Sequence, residues 1–123
     1  MRNMSFTLTT EQVRTRTKTV TRRIGWTTLQ PGTLLQPVVK GQGIPKGGTV
    51  EKIGGPIRVV SVEREPLREL HDYCGAAGNE VTREGFPNLT TEEFIAMFCE
   101  HNRCRETDEV TRIEFTYERV PVQ

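Results

Sequence analysis

A run of basic residues with no acidic neighbour is the first feature of chemical interest. Arg14, Arg16, Lys18, Arg22 and Arg23 fall within ten residues that hold no Asp or Glu. Cationic groups at that density suit contact with phosphate oxygens. Trp26 lies just beyond the run, and its indole offers either a face for stacking a nucleobase or a wedge that covers the mouth of a barrel. Four other residues have metal-ligand chemistry: His71 with Cys74, two residues intervening, and Cys99 with Cys104, four intervening. Closed tetrahedral zinc sites use such pairs. The second spacing is wide for that purpose. Cys99 reads more simply as a small helix residue facing the core and Cys104 as a loop thiol, so neither a metal nor another cofactor is expected.

The chain of 123 residues carries 17 Lys and Arg against 16 Asp and Glu, a net charge of +1. That total conceals a division. Residues 1–60 hold ten basic and two acidic side chains (+8), and residues 61–123 hold seven and fourteen (−7). The halves either neutralise each other across one fold or leave a basic surface on the first. Hydrophobic residues make up 34% and charged ones 27%, which excludes a disordered tail but allows only a modest core. The length fits a single domain spanning 1–123. No apolar run approaches the roughly 20 residues that span a bilayer, and the N-terminus lacks the apolar stretch of a signal peptide. Together with an odd count of three cysteines, this points to a cytoplasmic protein with no membrane partner.

The elements that would position these residues follow from periodicity and turn chemistry. Ser5 to Thr9 alternates Phe6 and Leu8 with hydroxyl residues, the pattern of a half-buried strand. Thr9 or Thr10, with Glu11 and Gln12 following, predicts a short capped helix over Glu11 to Arg16. Thr17 to Arg23 is rich in β-branched residues and favours extended structure. The runs Thr33 to Lys40, Thr49 to Ile53 and Ile57 to Val62 are separated by glycine-containing turns and have strand length. Short strands at this spacing predict a small barrel. Pro66 suits the first turn of a helix reaching His71, and a loop follows over Gly75 to Gly78. The clearest helix runs from Thr90 to His101: Thr90 and Glu93 form a capping box, Leu89 staples onto Phe94, and Phe94, Ile95, Met97 and Phe98 make an apolar stripe. Val110 to Tyr117 reads as a closing strand, with Ile113, Phe115 and Tyr117 inward and Arg112, Glu114 and Thr116 outward.

Four segments in order, Lys18-Thr19-Val20-Thr21-Arg22-Arg23, Arg83-Glu84-Gly85-Phe86, Glu92-Glu93-Phe94 and Val110-Thr111-Arg112-Ile113-Glu114-Phe115, resemble the ASCH domain family, especially its compact bacteriophage-type members. The resemblance covers nearly the whole chain. It implies an α+β fold, a PUA-like small β-barrel with two or three packed helices, and a cleft for RNA or a modified nucleoside. Some similar bacterial members are amidohydrolases that remove an acyl group from the exocyclic amine of acetylated cytidine. They use a Lys, a Thr three residues on and a distant Glu, which implies Lys18, Thr21 and Glu84 here, with Arg16, Arg22, Arg23 and Trp26 as candidates for substrate or nucleic-acid binding. Other members act as ribonucleases or only bind RNA, so a non-catalytic RNA-binding module and a metal-independent ribonuclease are the alternative functions. The glycine-rich stretch from Leu35 to Gly55 is longer than in the most compact amidohydrolases. Nothing in the residues sets an oligomeric state.

The chemistry has its own requirement. A threonine hydroxyl is a weak nucleophile until a base takes its proton, and a lysine lowered toward neutrality by burial or by neighbours such as Arg22 and Arg23 is such a base. On a regular strand Lys18 and Thr21 would point to opposite faces. The site therefore requires the chain to leave the strand conformation around Thr19 and Val20.

Overall fold

The computed structural model describes residues 1–40, 47–73 and 79–118. Five strands form one mixed sheet: β1 (Arg2–Ser5), β2 (Val20–Arg23), β3 (Leu34–Val38), β4 (Ile57–Pro66) and β5 (Glu109–Tyr117). Their spatial order is β1-β3-β4-β5-β2, with β1 parallel to β3 and every other pairing antiparallel. The expected closed barrel is not formed, because β1 and β2 end the sheet on opposite edges. Helices α1 (Thr10–Arg14), α2 (Glu80–Arg83) and α3 (Thr91–Asn102) and a 3₁₀ helix (Leu67–Asp72) complete an α+β fold. No described helix is long and apolar enough to cross a membrane.

Two apolar clusters lie within this frame. The first gathers Met4, Phe6, Leu35, Ile57, Val59, Ile113 and Phe115 with neighbours from α1 and the loops; the second joins Leu67, Leu70, Val81, Phe94, Ile95, Phe98 and Val110. Phe94, Ile95, Phe98, Ile113 and Phe115 are buried as the periodicity predicts, but they divide between the two clusters. The α3 capping box is present in both directions, Thr90 accepting from the Glu93 amide and Glu93 accepting from the Thr90 amide, and Leu89 packs on the second cluster beside Phe94.

A bulge decides which face of β4 meets which cluster. Ile57 and Val59 pair with Tyr117 and Phe115, but the register slips at Val60, so Ser61 pairs with Glu114 and Glu65 with Val110. One extra residue flips the alternation. Glu65 therefore shares a face with Val110 and Arg112, whereas an unbroken strand would have aimed it at the first cluster. Val60, the inserted residue, is left exposed.

Several sequence-based expectations are corrected. The first strand covers Arg2–Ser5, so Met4 and Phe6 are the buried pair and Leu8 is exposed; the chain turns at Phe6, whose carbonyl accepts from the Thr9 amide and the Thr10 hydroxyl. Thr9 stands at the N-cap of α1 but makes no side-chain cap hydrogen bond. Thr49 to Ile53 forms no strand; it meets the sheet through one bridge, Lys52 to Val38. Pro66 caps the 3₁₀ helix from outside instead of entering its first turn. Arg112 is buried, not outward, because α2 covers its face of β5 and supplies Glu80 as its partner. The loop 75–78 lies outside the described residues.

Replacing Phe98 with Ala opens a cavity in the second cluster, and a loss of about 3 kcal/mol is expected from lost burial and incomplete collapse. Thermal or denaturant unfolding of Phe98→Ala against the parent measures it; an unchanged midpoint would show that α3 contributes no packing there.

Candidate functional site

The site begins where the chain leaves α1. Arg16 adopts a left-handed conformation, φ 62°, and the amides of Thr17 and Lys18 return to the Gln12 carbonyl at 2.9 and 3.2 Å. The strand β2 starts only at Val20, so Lys18 precedes it and escapes the alternation that would bind it to one face. Three contacts then fix this entry: the Thr19 amide donates to the Arg83 carbonyl (2.9 Å), the Phe115 amide donates to the Thr19 carbonyl (3.0 Å), and the Tyr117 hydroxyl donates to the Lys18 carbonyl (2.6 Å). Burial pushes the Tyr117 phenol up to about 12, so it stays a donor at physiological pH.

Glu84 is delivered by α2, a helix the sequence reading did not foresee. Asn79 caps it by accepting from the Val81 amide at 3.0 Å, and Gly85 ends it at φ 104°. Gly85 is required twice over: its backbone lies in the region that disfavours side chains, and a Cβ there would come 3.0 Å from Gln12 Cγ. The Gln12 amide in turn donates to the Gly85 carbonyl at 3.1 Å. This close approach sets the Glu84 backbone and carboxylate beside Lys18.

Lys18 Nζ donates to the Glu84 carbonyl and, at 3.1 Å, to Glu84 Oε1. Arg22 Nη1 holds Glu84 Oε2 at 2.9 Å, and its Nη2 holds Glu80 Oε1 at 2.8 Å. Arg112 binds the same Glu80 oxygen, and Glu65 approaches Arg22 at 3.6 Å. Lys18, Arg22, Glu80 and Glu84 are each 3% exposed, so these charges interact with little screening by water. Burial lowers the Lys18 amine from its ordinary value; Glu84 opposes the shift, and Arg23 and Arg22 add to it. Burial would raise Glu80, but the hydrogen bond from Arg112 and the charge of Arg22 outweigh it and hold its carboxyl below the usual range. Glu65 is raised by burial, which Arg22 only partly offsets. Two buried atoms in this group have no hydrogen-bond partner, Arg22 Nε and Glu65 Oε2.

A cleft of about 120 Å³ opens at the free edge of β2. Lys18, Thr21, Arg22, Arg23 and Glu84 line it, opposite Phe6 and the aromatic side chains of the second cluster. Because β2 is an edge strand, side chains from both of its faces reach the same space. Thr21 is buried, and its Oγ1 accepts from Arg23 Nε at 3.0 Å. Lys18 and Thr21 make no direct hydrogen bond to each other: Lys18 Nζ is engaged by Glu84 and Thr21 Oγ1 by Arg23.

Two other candidate residues lie elsewhere. Arg16 borders a separate small cavity near Tyr117, its guanidinium 6.0 Å from that ring. Trp26, at φ 54°, packs on the first cluster with the Arg2 guanidinium 4.3 Å over its ring. Neither lines the cleft. Arg22 does, but its terminal nitrogens are spent on Glu80 and Glu84. Of the possible zinc ligands, Cys74 lies outside the described residues; His71 faces Glu106 at 3.7 Å, and Cys99 and Cys104 are free thiols packed on the second cluster. Among the described residues no group of three or more His, Cys, Asp or Glu is placed to hold a metal. Reading by sequence missed Glu80, Glu65 and Arg112. The only available signal was Asn79 followed by Glu80, a capping residue before an acidic first turn.

No protein-family model and no curated protein matches the sequence. Among solved structures, the chain is similar to a crystal structure of protein EF3133 from Enterococcus faecalis V583, whose family model is DUF984, with a TM-score of 0.56 and 14% identity over 99% of this chain and 85% of that one. At that identity the likeness is one of fold.

The Glu80 arrangement makes a pH prediction. Its folded pKa is depressed, so its contribution to stability is present above the unfolded value of 4.5 and is lost as pH falls through the lower folded value. Glu80→Gln removes the carboxylate that Arg112 and Arg22 share, leaving Arg22 to Glu84 and Arg112 to Glu114 at 3.6 Å, and is expected to cost roughly 3 kcal/mol at pH 7. Urea unfolding across the acid range checks this: the gap between parent and variant should narrow as pH falls below 4.5, and a gap independent of pH would remove the ion pair as its cause.

Proposed function

We propose that the chain is a compact, bacteriophage-type ASCH domain, PUA-like in ancestry though open in its sheet, and that it hydrolyses an acyl amide on the exocyclic amine of a modified pyrimidine nucleoside. The observation that carries this reading is the placing of Lys18, buried and bonded twice to Glu84, on the same cleft as Thr21. A neutral lysine has two N–H groups and one lone pair. Glu84 accepts both N–H groups, through its carbonyl and its carboxylate, which leaves the lone pair free to take a proton. Burial favours that neutral form.

In this mechanism Thr21 Oγ attacks the acyl carbon while its proton passes to Lys18, through one water where the two do not touch. The lysine returns the proton to the departing exocyclic amine, and water then opens the threonine ester. Glu84 orients the amine and keeps it from being lowered further. The reading places the protein in a reducing cytoplasm, in keeping with its odd count of three cysteines.

Binding of RNA along the basic segment has weaker support. Lys18 and Arg22 are 3% exposed and Arg14 pairs with Glu11, so these residues do not form a continuous track for phosphates. The cleft is also smaller than the roughly 300–1,000 Å³ of sites that enclose drug-sized ligands. That size suits an acyl group and one edge of a base, with the sugar left outside.

The test is turnover of a panel of N-acylated cytidines, with labelled single-stranded RNA as a parallel substrate. Lys18→Met and Thr21→Val should each lower kcat by roughly 10²–10⁴-fold in protein that circular dichroism shows to be folded, and Thr21→Ser should keep activity. The kcat/KM of the parent should rise with pH as Lys18 loses its proton. Equal turnover in both disabled variants would end the proposal, and salt-sensitive RNA binding without turnover would favour the non-catalytic module.

A further inference from the structure

Lys18, Arg22 and Arg112 are buried and Arg23 is partly buried, and these four basic groups fall into two kinds. Lys18, Arg22 and Arg112 each have a carboxylate within ion-pairing distance. Arg23 has none among the described residues. Its Nε donates to Thr21 Oγ1 at 3.0 Å, its guanidinium carbon lies 4.7 Å over the Phe6 ring, and it lines the cleft. A guanidinium carries five N–H donors, so after the bond to Thr21 four remain on the two terminal nitrogens. Burial lowers its pKa to about 10, so it is still a cation at neutral pH. Glu84 opposes that shift from beyond ion-pairing distance while it binds Lys18 and Arg22, so a ligand oxygen in the cleft would meet N–H groups of Arg23 that no described carboxylate holds.

We infer that Arg23 is the anion-holding group of the cleft, receiving the oxygen that becomes negative when an acyl carbonyl is attacked and then the carboxylate that is released. This rests on the deacylation proposed above. Because Arg23 Nε is bonded to Thr21 Oγ1, a carbonyl carbon within bonding reach of that oxygen brings its own oxygen near the terminal N–H groups. As Thr21 Oγ bonds to the carbon, the C=O π pair moves onto oxygen and the hydroxyl proton goes to Lys18. Collapse expels the exocyclic amine, which takes that proton. Water then adds to the ester, and its cleavage releases the carboxylate and restores the hydroxyl. Arg23 faces the negative oxygen in both additions. Donors aimed at a developing oxyanion in a site shielded from water commonly supply a large part of the rate acceleration.

The experiment has two arms on the intact chain. Butyrate is titrated into ¹⁵N-labelled protein while the Arg23 Nε–H signal is followed, in the parent and in Arg23→Lys and Arg23→Met; the same proteins are assayed on an acylated cytidine. Arg23→Met should weaken butyrate about tenfold or more and lower kcat by roughly 10²–10³-fold, with KM for the neutral substrate little changed, and Arg23→Lys should restore part of both. Thermal midpoints exclude misfolding as the cause. Butyrate binding that needs Arg23 while no acylated nucleoside is turned over would uphold the anion site and reject deacylation. Turnover that survives in Arg23→Met, butyrate binding indifferent to the substitution, or no butyrate binding by the parent would each overturn the role of Arg23.

Discussion

The arrangement depends on one carboxylate, Glu84, gripped from both sides in the interior. Lys18 holds one of its oxygens and Arg22 the other, and Arg22 passes the linkage on to Glu80 and so to Arg112. Chain segments distant in sequence meet at this point: the entry to β2, helix α2 and strand β5. Removing several charges from water costs several kcal/mol apiece, and their mutual attraction does little more than offset it. The network is therefore better understood as fixing a geometry than as the main source of stability, which comes from the two apolar clusters that border it.

That geometry sets the electrostatics of the cleft. Burial draws the Lys18 amine down while Glu84 draws it up, and burial prevails. The same desolvation acts on Arg23, which Glu84 resists only from beyond ion-pairing distance. Thr21 lines the same cleft as these two, buried and hydrogen-bonded by Arg23. The bulge at Val60 belongs to the same design: by turning Glu65 onto the face of Arg112 it adds a third carboxylate near Arg22. Glu65 is only partly compensated there, which is why its carboxyl is raised where that of Glu80 is lowered.

Periodicity and caps made the local elements legible. Helix α3 was readable because Thr90, Glu93 and the apolar stripe agree, and β5 because its alternation is strong on one side. The other side of β5 was misread: Arg112 has the composition of a solvated face, and only the long-range arrival of Glu80 makes its burial tolerable. The bulge in β4 left no mark beyond two adjacent valines, Val59 and Val60, so the face taken by Glu65 was invisible. Helix α2 has four residues, too few for a period to show. The closed barrel failed for a related reason, since spacing of short strands says nothing about whether the first and last of them pair. At the site, the residues at the entry to β2 were named from their motif, yet the partition of Lys18 to Glu84 and of Thr21 to Arg23 followed from tertiary contacts alone.

The most direct measurement is the titration of the Lys18 side chain itself, followed through its Cε resonance in selectively labelled protein. If burial governs the amine, its midpoint lies below the ordinary 10.5 and falls further in Glu84→Gln, where the opposing carboxylate is gone while the buried setting remains. A midpoint at or above 10.5 in the parent would mean that Lys18 is an ordinary ion-paired lysine, and the base that the proposed chemistry needs would be absent.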